Sequence, residues 1–331
     1  MVSRRQSDQA QDRTVRGVIY IAAGKPEYGL MAANSLMSLR NPDNKGKIRN
    51  DVPVALIWSG NAIDGLSSYF LDSFDHVIHV DEAYCTSGRN KTEWQRLKTM
   101  IGHVSPFEQT IFFDADLVFY DGFLMDWAWA RTQNKAVCYF EFNAYSLKDK
   151  KYVDPSSHPY TLWCDGKEFA KAYPAKDDVM PVCNSSFVFA DGSSESDRFF
   201  ESCVNNYDHP RCSTVNWNGG LPDEFAFNAA WADTGIDTMH RVDGKFEPFY
   251  PMKAFVHTQS LVKDAVKAKV IPKATEDCWG VDMAGHTFPD AIINHYNYCV
   301  LTYARRMGNS AALGFWKWVD KKHWTGTRND F

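Results

Sequence analysis

The chain has 331 residues, of which 44% are hydrophobic and 23% charged, and its formal net charge is -5. A hydrophobic fraction of this size supports one large core or two closely joined halves, and it excludes a chain that is disordered throughout. The acidic balance, without a long basic block, gives no indication of generic electrostatic binding to nucleic acid.

The first 16 residues, MVSRRQSDQAQDRTVR, are polar and mixed in charge, and we expect a disordered tail there. They contain no apolar stretch typical of a signal peptide, and no segment of the sequence reaches the ~20 apolar residues of a membrane helix. The eight cysteines show neither CxxC pairs nor zinc-ligand spacing, which is typical of thiols in a reducing compartment. These features together predict a cytoplasmic protein.

From residue 17 onward, β-rich apolar runs alternate with segments of helical periodicity. We predict strands at 17–24, 52–60, 76–81 and 109–119. We predict helices between them at 28–40, 65–74 and 93–104. This alternation predicts an α/β domain with βαβ units and a mostly parallel, Rossmann-like twisted sheet flanked by helices. Such sheets bind ligands beyond the carboxyl ends of their strands.

Two aspartates interrupt the fourth predicted strand, in the stretch QTIFFDADLVFYDGF. An ionised carboxylate is costly to bury without a partner, so Asp114 and Asp116 each require one. Two carboxylates one residue apart can reach the same divalent cation, and oxygen-rich sites suit Mg²⁺ or Mn²⁺ that also bind substrate phosphates. The alternative is that one aspartate serves a turn or a helix cap while the other faces solvent.

The stretch IFFDADLVF resembles the hydrophobic-DxD-hydrophobic signature of nucleotide-sugar-dependent glycosyltransferases with the GT-A fold. The order of motifs from Val18 to Lys263 is similar, more narrowly, to the glycogenin-like and bacterial lipopolysaccharide galactosyltransferase group. This resemblance implies a GT-A domain in which Asp114 and Asp116 bind Mn²⁺ or Mg²⁺. The metal of these enzymes holds the diphosphate of a nucleotide sugar, and a UDP-sugar is the expected donor.

Two motifs before the aspartates resemble segments of that group that bind the donor. IYIAAGKPEYGL is similar to the first strand and loop, where a tyrosine stacks on uracil. Tyr28 stands in that place, with Ala22 and Ala23 at the nucleotide edge. EWQRLKTMIGHV resembles the helix that supplies a basic residue to the donor, for which Arg96 and Lys98 are the candidates. The alternative for Arg96 and Lys98 is that they lie on a solvated helix face.

Two motifs after the aspartates resemble segments near the donor sugar. PVCNSSFVFADGS is similar to a strand whose asparagine contacts the sugar or the acceptor; Asn184 matches it, although Ser186 replaces the usual glycine. GGLPDEFAFNAAW resembles an Asp-Gln segment, with Asp223 and Glu224 in its place. A glutamate could serve there as a nucleophile or a general base, whereas an amide could not. The alternative is that these residues simply open a helix, whose positive end favours acidic side chains.

The segment AFVHTQSLVKD resembles the H-x5-K motif of the group, whose histidine completes the metal site and whose lysine contacts the diphosphate. His257 and Lys263 have that spacing, although Ser260 replaces an internal glycine. His295, which follows another strand-like run in IINHYNYCV, is the alternative metal ligand.

No internal repeat or low-complexity linker divides the sequence, so we treat residues 17–331 as one domain. Within it we expect a nucleotide-binding half (17–120), an acceptor half (121–300) and a C-terminal helical segment (301–331).

The expected activity is metal-dependent transfer of a hexose or pentose from a nucleotide diphosphate sugar. The acceptor stays open between a saccharide and a hydroxylated nucleobase in DNA. The resemblance implies retention of the anomeric configuration, whereas a carboxylate acting as a base would allow inversion. Two alternatives are a nucleotide-sugar-binding protein that has lost catalysis and a haloacid-dehalogenase-like phosphatase. The DxD motif of such phosphatases normally continues with glycine, where this chain has Leu117.

Overall fold

The computed structural model describes residues 16–40, 52–64, 66, 68–119, 125–153, 162–215, 220–239, 241–242, 245–246 and 255–257. The strands within them are β1 (Arg16–Gly24), β2 (Val54–Gly60), β3 (His76–His79), β4 (Gln109–Phe113), β5 (Leu117–Phe119), β6 (Val137–Ser146), β7 (Lys151–Tyr152), β8 (Val179–Ala190), β9 (Arg241–Val242), β10 (Lys245–Phe246) and β11 (Phe255–His257). The α-helices are α1 (Pro26–Arg40), α2 (Ser68–Leu71), α3 (Ile101–Val104), α4 (Met125–Arg131), α5 (Gly166–Ala172), α6 (Ser194–Asp208) and α7 (Asp223–Thr234). Two 3₁₀ helices cover Glu82–Cys85 and Trp94–Met100.

Seven strands form the central sheet, in the order β3-β2-β1-β4-β8-β6-β7. The first four pair in parallel, whereas β8 is antiparallel to both β4 and β6, so β6 runs in the direction of β4. β7 is antiparallel to β6. Five of the seven strands, all except β8 and β7, therefore share one direction. The predicted mostly parallel α/β sheet flanked by helices is confirmed.

The two faces of the sheet are both covered, which explains why β1 is an unbroken apolar run. Side chains of a strand alternate between the faces, and β1 divides accordingly between two buried clusters. Val18 and Tyr20 pack in the cluster that includes residues of α1 and α4. Ile19 and Ile21 pack in the cluster that includes residues of α6 and α7. None of the described helices has the length and apolarity needed to cross a bilayer.

Two predicted elements differ in detail from those observed. The segment predicted as a helix at 93–104 is a 3₁₀ helix that leads into the single α-turn of α3. The Thr99 hydroxyl donates to the Arg96 carbonyl at 2.7 Å, and such local bonds compete with the α-helical pattern. The strand predicted at 109–119 is interrupted at the aspartates and becomes β4 and β5.

The ends of the chain lie largely outside the described residues. β1 begins at Arg16, the last residue of the stretch expected to be a tail, and residues 1–15 are not described. The predicted C-terminal segment 301–331 is also outside them, as are Lys263 and His295.

Candidate active site at the carboxyl end of the sheet

Asp114 and Asp116 lie in the turn that joins β4 to β5. The strand pairing extends to the first aspartate, since the Asp114 N–H donates to the Ser186 carbonyl of β8 at 2.9 Å. The chain then turns, with the Leu117 N–H on the Asp114 carbonyl at 3.4 Å, and both aspartates are half-buried. The pair therefore stands at the edge of the sheet where parallel strands present ligand sites.

Of the two basic candidates, Lys98 reaches this turn. Its Nζ lies 2.6 Å from Oδ1 of Asp114 and 3.5 Å from Oδ2 of Asp223. Burial works against the ammonium charge, but the carboxylates of Asp114, Asp223 and Glu224 outweigh it and hold the pKa of Lys98 well above its usual range. Lys98 is therefore a fixed positive charge between the end of β4 and the start of α7.

Arg96, the other basic candidate, has different partners. Its guanidinium forms two bonds of 2.8 Å with the Asp208 carboxylate of α6 and donates to the Tyr84 carbonyl at 2.5 Å. Residues two apart on a helix with three residues per turn point in different directions. The structure therefore brings Lys98 to the aspartates and ties Arg96 into the fold.

Asp223 and Glu224 form the first turn of α7, as the helix-opening alternative predicts, and they also face the site. Asp223 is only 3% exposed, and Glu224 is half-buried. Burial raises the pKa of Glu224 to about 8; the negative charge of Asp223 adds to this rise, and Lys98 opposes it. Glu224 therefore holds its proton to a higher pH than an ordinary glutamate does.

Asn184 lies at a bulge in β8. The register with β6 shifts here, so that residues 185–187 have no opposite residue on β6. The Asn184 side-chain oxygen accepts the Ser186 N–H at 3.2 Å and also the Ser186 hydroxyl, which stabilises the bulge. Bulges commonly redirect side chains beside active sites. This one places Ser185 Oγ 3.5 Å from Nζ of Lys98.

Asn228 is a neighbour of the site that the sequence analysis missed. It is fully buried, and its side-chain oxygen accepts the Cys183 N–H at 3.0 Å. This bond joins α7 to β8 at the residue before Asn184. Asn228 follows Glu224 by four residues, so both lie on one face of the helix, and this spacing was the available signal.

The remaining donor-binding candidates lie at the end of β1 and the start of α1. Ala22 and Ala23 are buried in opposite clusters, so their methyl groups belong to the two cores and only their backbone is at the sheet edge. Tyr28 is half-buried in the first turns of α1, where its N–H donates to the Lys25 carbonyl at 3.1 Å. β1 and β4 are neighbouring parallel strands, so these residues lie at the same edge of the sheet as the aspartate turn.

The backbone of β11 brings His257 beside the aspartate turn. β11 pairs antiparallel with β5, and His257 stands opposite Leu117, the residue after Asp116. Two carboxylates and an imidazole are a donor set that fits Mn²⁺ or Mg²⁺. The side chain of His257 is not among those described, and the described side chains contain no group of three His, Cys, Asp or Glu that could hold a metal.

No family model matches the chain, and no curated protein sequence matches it. Among solved structures it is similar to the WbbM bifunctional glycosyltransferase, with 11% identity and a TM-score of 0.44 over 67% of this chain and 38% of that one. It is similar to the galactosyltransferase LgtC in complex with donor and acceptor sugar analogues, with 8% identity and a TM-score of 0.42 over 64% of this chain and 69% of that one. Mouse xyloside xylosyltransferase 1 gives 15% identity and a TM-score of 0.43 over 69% of this chain and 86% of that one. Identities and TM-scores this low leave the activity to be argued from the site itself.

Proposed function

We propose that the chain is a metal-dependent glycosyltransferase that moves a sugar from a nucleotide diphosphate sugar, with a UDP-sugar as the expected donor, to an acceptor. One observation carries the proposal. The aspartate pair closes a parallel strand at the ligand-binding edge of the sheet, and a lysine and two further carboxyl groups converge on it. Asp114, Asp116 and His257 would hold Mn²⁺ or Mg²⁺, which supplies positive charge for the diphosphate.

Lys98 is placed to act on the leaving group. When the anomeric C–O bond breaks, new negative charge develops on the β-phosphate oxygen. A preorganised cation close to that oxygen stabilises the transition state without having to reorganise. Lys98 lies 2.6 Å from Asp114 and 3.5 Å from Asp223, so on either carboxylate its charge would be close to the diphosphate. The spacing of Lys263 from His257 assigns it the same role by resemblance.

Glu224 is the residue that we place at the donor sugar. Its pKa of about 8 lies close to neutral pH, which is the range in which a carboxyl group can both hold and release a proton during turnover. Asp223, which faces Lys98, keeps that cation in the site. We propose retention of the anomeric configuration, and an NMR assignment of the product anomer would decide between retention and inversion.

The nucleotide would lie over the first half of the chain, residues 17–120, and the acceptor over residues 121–300. Tyr28 would stack on the base, with the backbone at Ala22 and Ala23 along its edge. Asn184 would contact the sugar through its amide nitrogen, because its oxygen is occupied by Ser186. A saccharide and a hydroxylated nucleobase in DNA both remain acceptors to be tested.

The test is nucleotide release from a panel of nucleotide sugars with Mn²⁺ and without an acceptor, since slow donor hydrolysis reveals the donor. We expect release from one donor, its loss in the presence of EDTA, and its loss in the Asp116→Ala variant. Asp177→Ala, at an exposed residue, is the matched control and should behave as the wild type.

Full metal-dependent release by Asp116→Ala would contradict the proposal. Donor binding without release or transfer would instead identify a nucleotide-sugar-binding protein.

A further inference from the structure

Lys98 is bonded to the carboxylate that the proposed function assigns to the metal. Its ammonium lies 2.6 Å from Oδ1 of Asp114, at the short end of charge-assisted contacts and well inside ion-pair distance. A divalent cation on Asp114 and an ammonium group at that distance repel each other and compete for the same negative charge. Metal binding at Asp114 therefore weakens the attraction that holds Lys98 on this carboxylate.

A second partner is already in place. Oδ2 of Asp223 is 3.5 Å from Nζ of Lys98, and Oγ of Ser185 is at the same distance. Charge-assisted hydrogen bonds are about 2.7–2.9 Å long, so a small movement of the lysine side chain would complete the bond to Asp223.

The Asp223 oxygen is also the one that needs this bond. Asp223 is 3% exposed, and its Oδ2 has no hydrogen-bond donor among the described residues. A buried carboxylate oxygen without a donor is unfavourable. Lys98 thus satisfies Asp114 at the expense of Asp223, and the balance reverses when Asp114 is taken by another cation.

We propose that Lys98 is a metal-responsive positioning residue that exchanges Asp114 for Asp223 when the metal binds. The inference rests on the proposed function, since it requires a metal at Asp114. Its consequence is an order of events, in which metal loading fixes the lysine against the first turn of α7, beside Glu224, before the donor sugar arrives. Lys98 is then held by Asp223 of α7 and no longer by Asp114 of the aspartate turn.

The first test is Mn²⁺ binding to the full chain without nucleotide, measured from the electron paramagnetic resonance signal of free Mn²⁺. Lys98→Met removes a unit charge a few ångströms from the metal position, so we expect Mn²⁺ to bind about tenfold or more tightly than to the wild type. Lys98→Arg retains the charge and should not show this gain. Lys171→Met, at an exposed residue of α5, is the matched control.

The second test is a double-mutant cycle with Asp223→Asn. This variant deprives Lys98 of its alternative partner, so the lysine stays on Asp114 and Mn²⁺ should bind about tenfold more weakly. In the Lys98→Met background the same substitution should have a much smaller effect, because no lysine remains to exchange. A purely long-range influence of the Asp223 charge would be equal in both backgrounds.

The possible failures are distinguishable. Absence of Asp116-dependent Mn²⁺ binding in every variant would overturn the proposed function together with this inference. Asp116-dependent binding that Lys98→Met leaves unchanged, or an equal effect of Asp223→Asn in both backgrounds, would overturn the inference alone. Thermal unfolding monitored by circular dichroism shows which variants fold. If Lys98→Met does not fold, Lys98→Gln takes its place and keeps a hydrogen-bond donor for Asp114.

Discussion

Two basic side chains on one short helix have separate roles in this structure. Lys98 faces the carboxyl groups of the candidate site, whereas Arg96 binds Asp208 and the Tyr84 carbonyl. The Arg96 and Asp208 side chains are 12% and 14% exposed, so each would be left largely desolvated without the other. The first contact is suited to ligand chemistry and the second to holding the 3₁₀ helix on α6.

We therefore expect opposite phenotypes from two matched substitutions. Arg96→Met should lower the free energy of unfolding by about 2–3 kcal/mol, because it leaves a largely buried carboxylate unpaired, and should leave nucleotide release by the folded protein largely intact. Lys98→Met should suppress nucleotide release. Urea denaturation and the release assay measure the two effects. Loss of release in Arg96→Met without any loss of stability would show that Arg96 belongs to the site.

At the level of elements, the 3₁₀ helix Trp94–Met100 rests on the ends of two parallel strands. The Trp94 ring lies against Gly24 of β1 and Gly60 of β2, where an added Cβ would be 2.6 Å and 2.8 Å from ring atoms. Both glycines also have positive φ angles, of 87° and 65°. The two strands can end here, and the helix carrying Lys98 can lie above them, because neither position has a side chain.

The steric part of this contact can be separated from the backbone part. Gly235 also has a positive φ, of 64°, but an added Cβ there meets nothing within 4 Å. Gly235→Ala should cost only the left-handed backbone penalty of about 1–2 kcal/mol. Gly24→Ala should cost about 1–3 kcal/mol more, because the Trp94 ring has to move. Equal losses in urea denaturation would mean that the Trp94 contact is not tight.

At the level of the whole molecule, folding assembles a cluster of charges from distant parts of the chain. Lys98 comes from the 3₁₀ helix, Asp114 from the β4–β5 turn, and Asp223 and Glu224 from α7. These groups face one another in partial burial, so folding itself changes how readily Glu224 ionises. The stability of the fold must then depend on pH.

The direction of this pH dependence of stability follows from the raised pKa of Glu224. In the folded chain its pKa is about 8, against 4.5 for an ordinary glutamate. Between these values the unfolded chain has released a proton that the folded chain retains, so this group lowers stability as the pH rises through that window. The stabilising contribution of Glu224 is fully present only below the ordinary glutamate pKa of 4.5. Burial is the main cause of the raised pKa; the charges of Asp223 and Asp114 add to it, and Lys98 opposes it.

Glu224→Gln cannot ionise, so its free energy of unfolding should fall less than that of the wild type as the pH rises through this window. Urea denaturation at several pH values from the lower to the upper pKa measures the difference. Glu195→Gln, at an exposed residue of α6, should retain the wild-type slope. Parallel pH profiles for wild type and Glu224→Gln would contradict the assigned shift.

The sequence by itself determined the α/β class and predicted a candidate site at a strand end. Both are local properties, because the period of apolar residues indicates strands and helices, and a parallel strand presents its carboxyl end to ligands. It also marked Asp114 and Asp116, since charge directly after a buried strand is costly without a partner. The assignments to Tyr28, Lys263 and the metal ligands stay predictions.

Only the tertiary structure decided which distant side chains meet. It separated Lys98 from Arg96, because partner choice depends on what packs above each face of the helix. It showed that Asp223 and Glu224 both open a helix and face the aspartate turn, and it placed the backbone of His257 opposite Leu117. Burial and neighbouring charge then set the protonation of Glu224, and neither is encoded in any short stretch of residues.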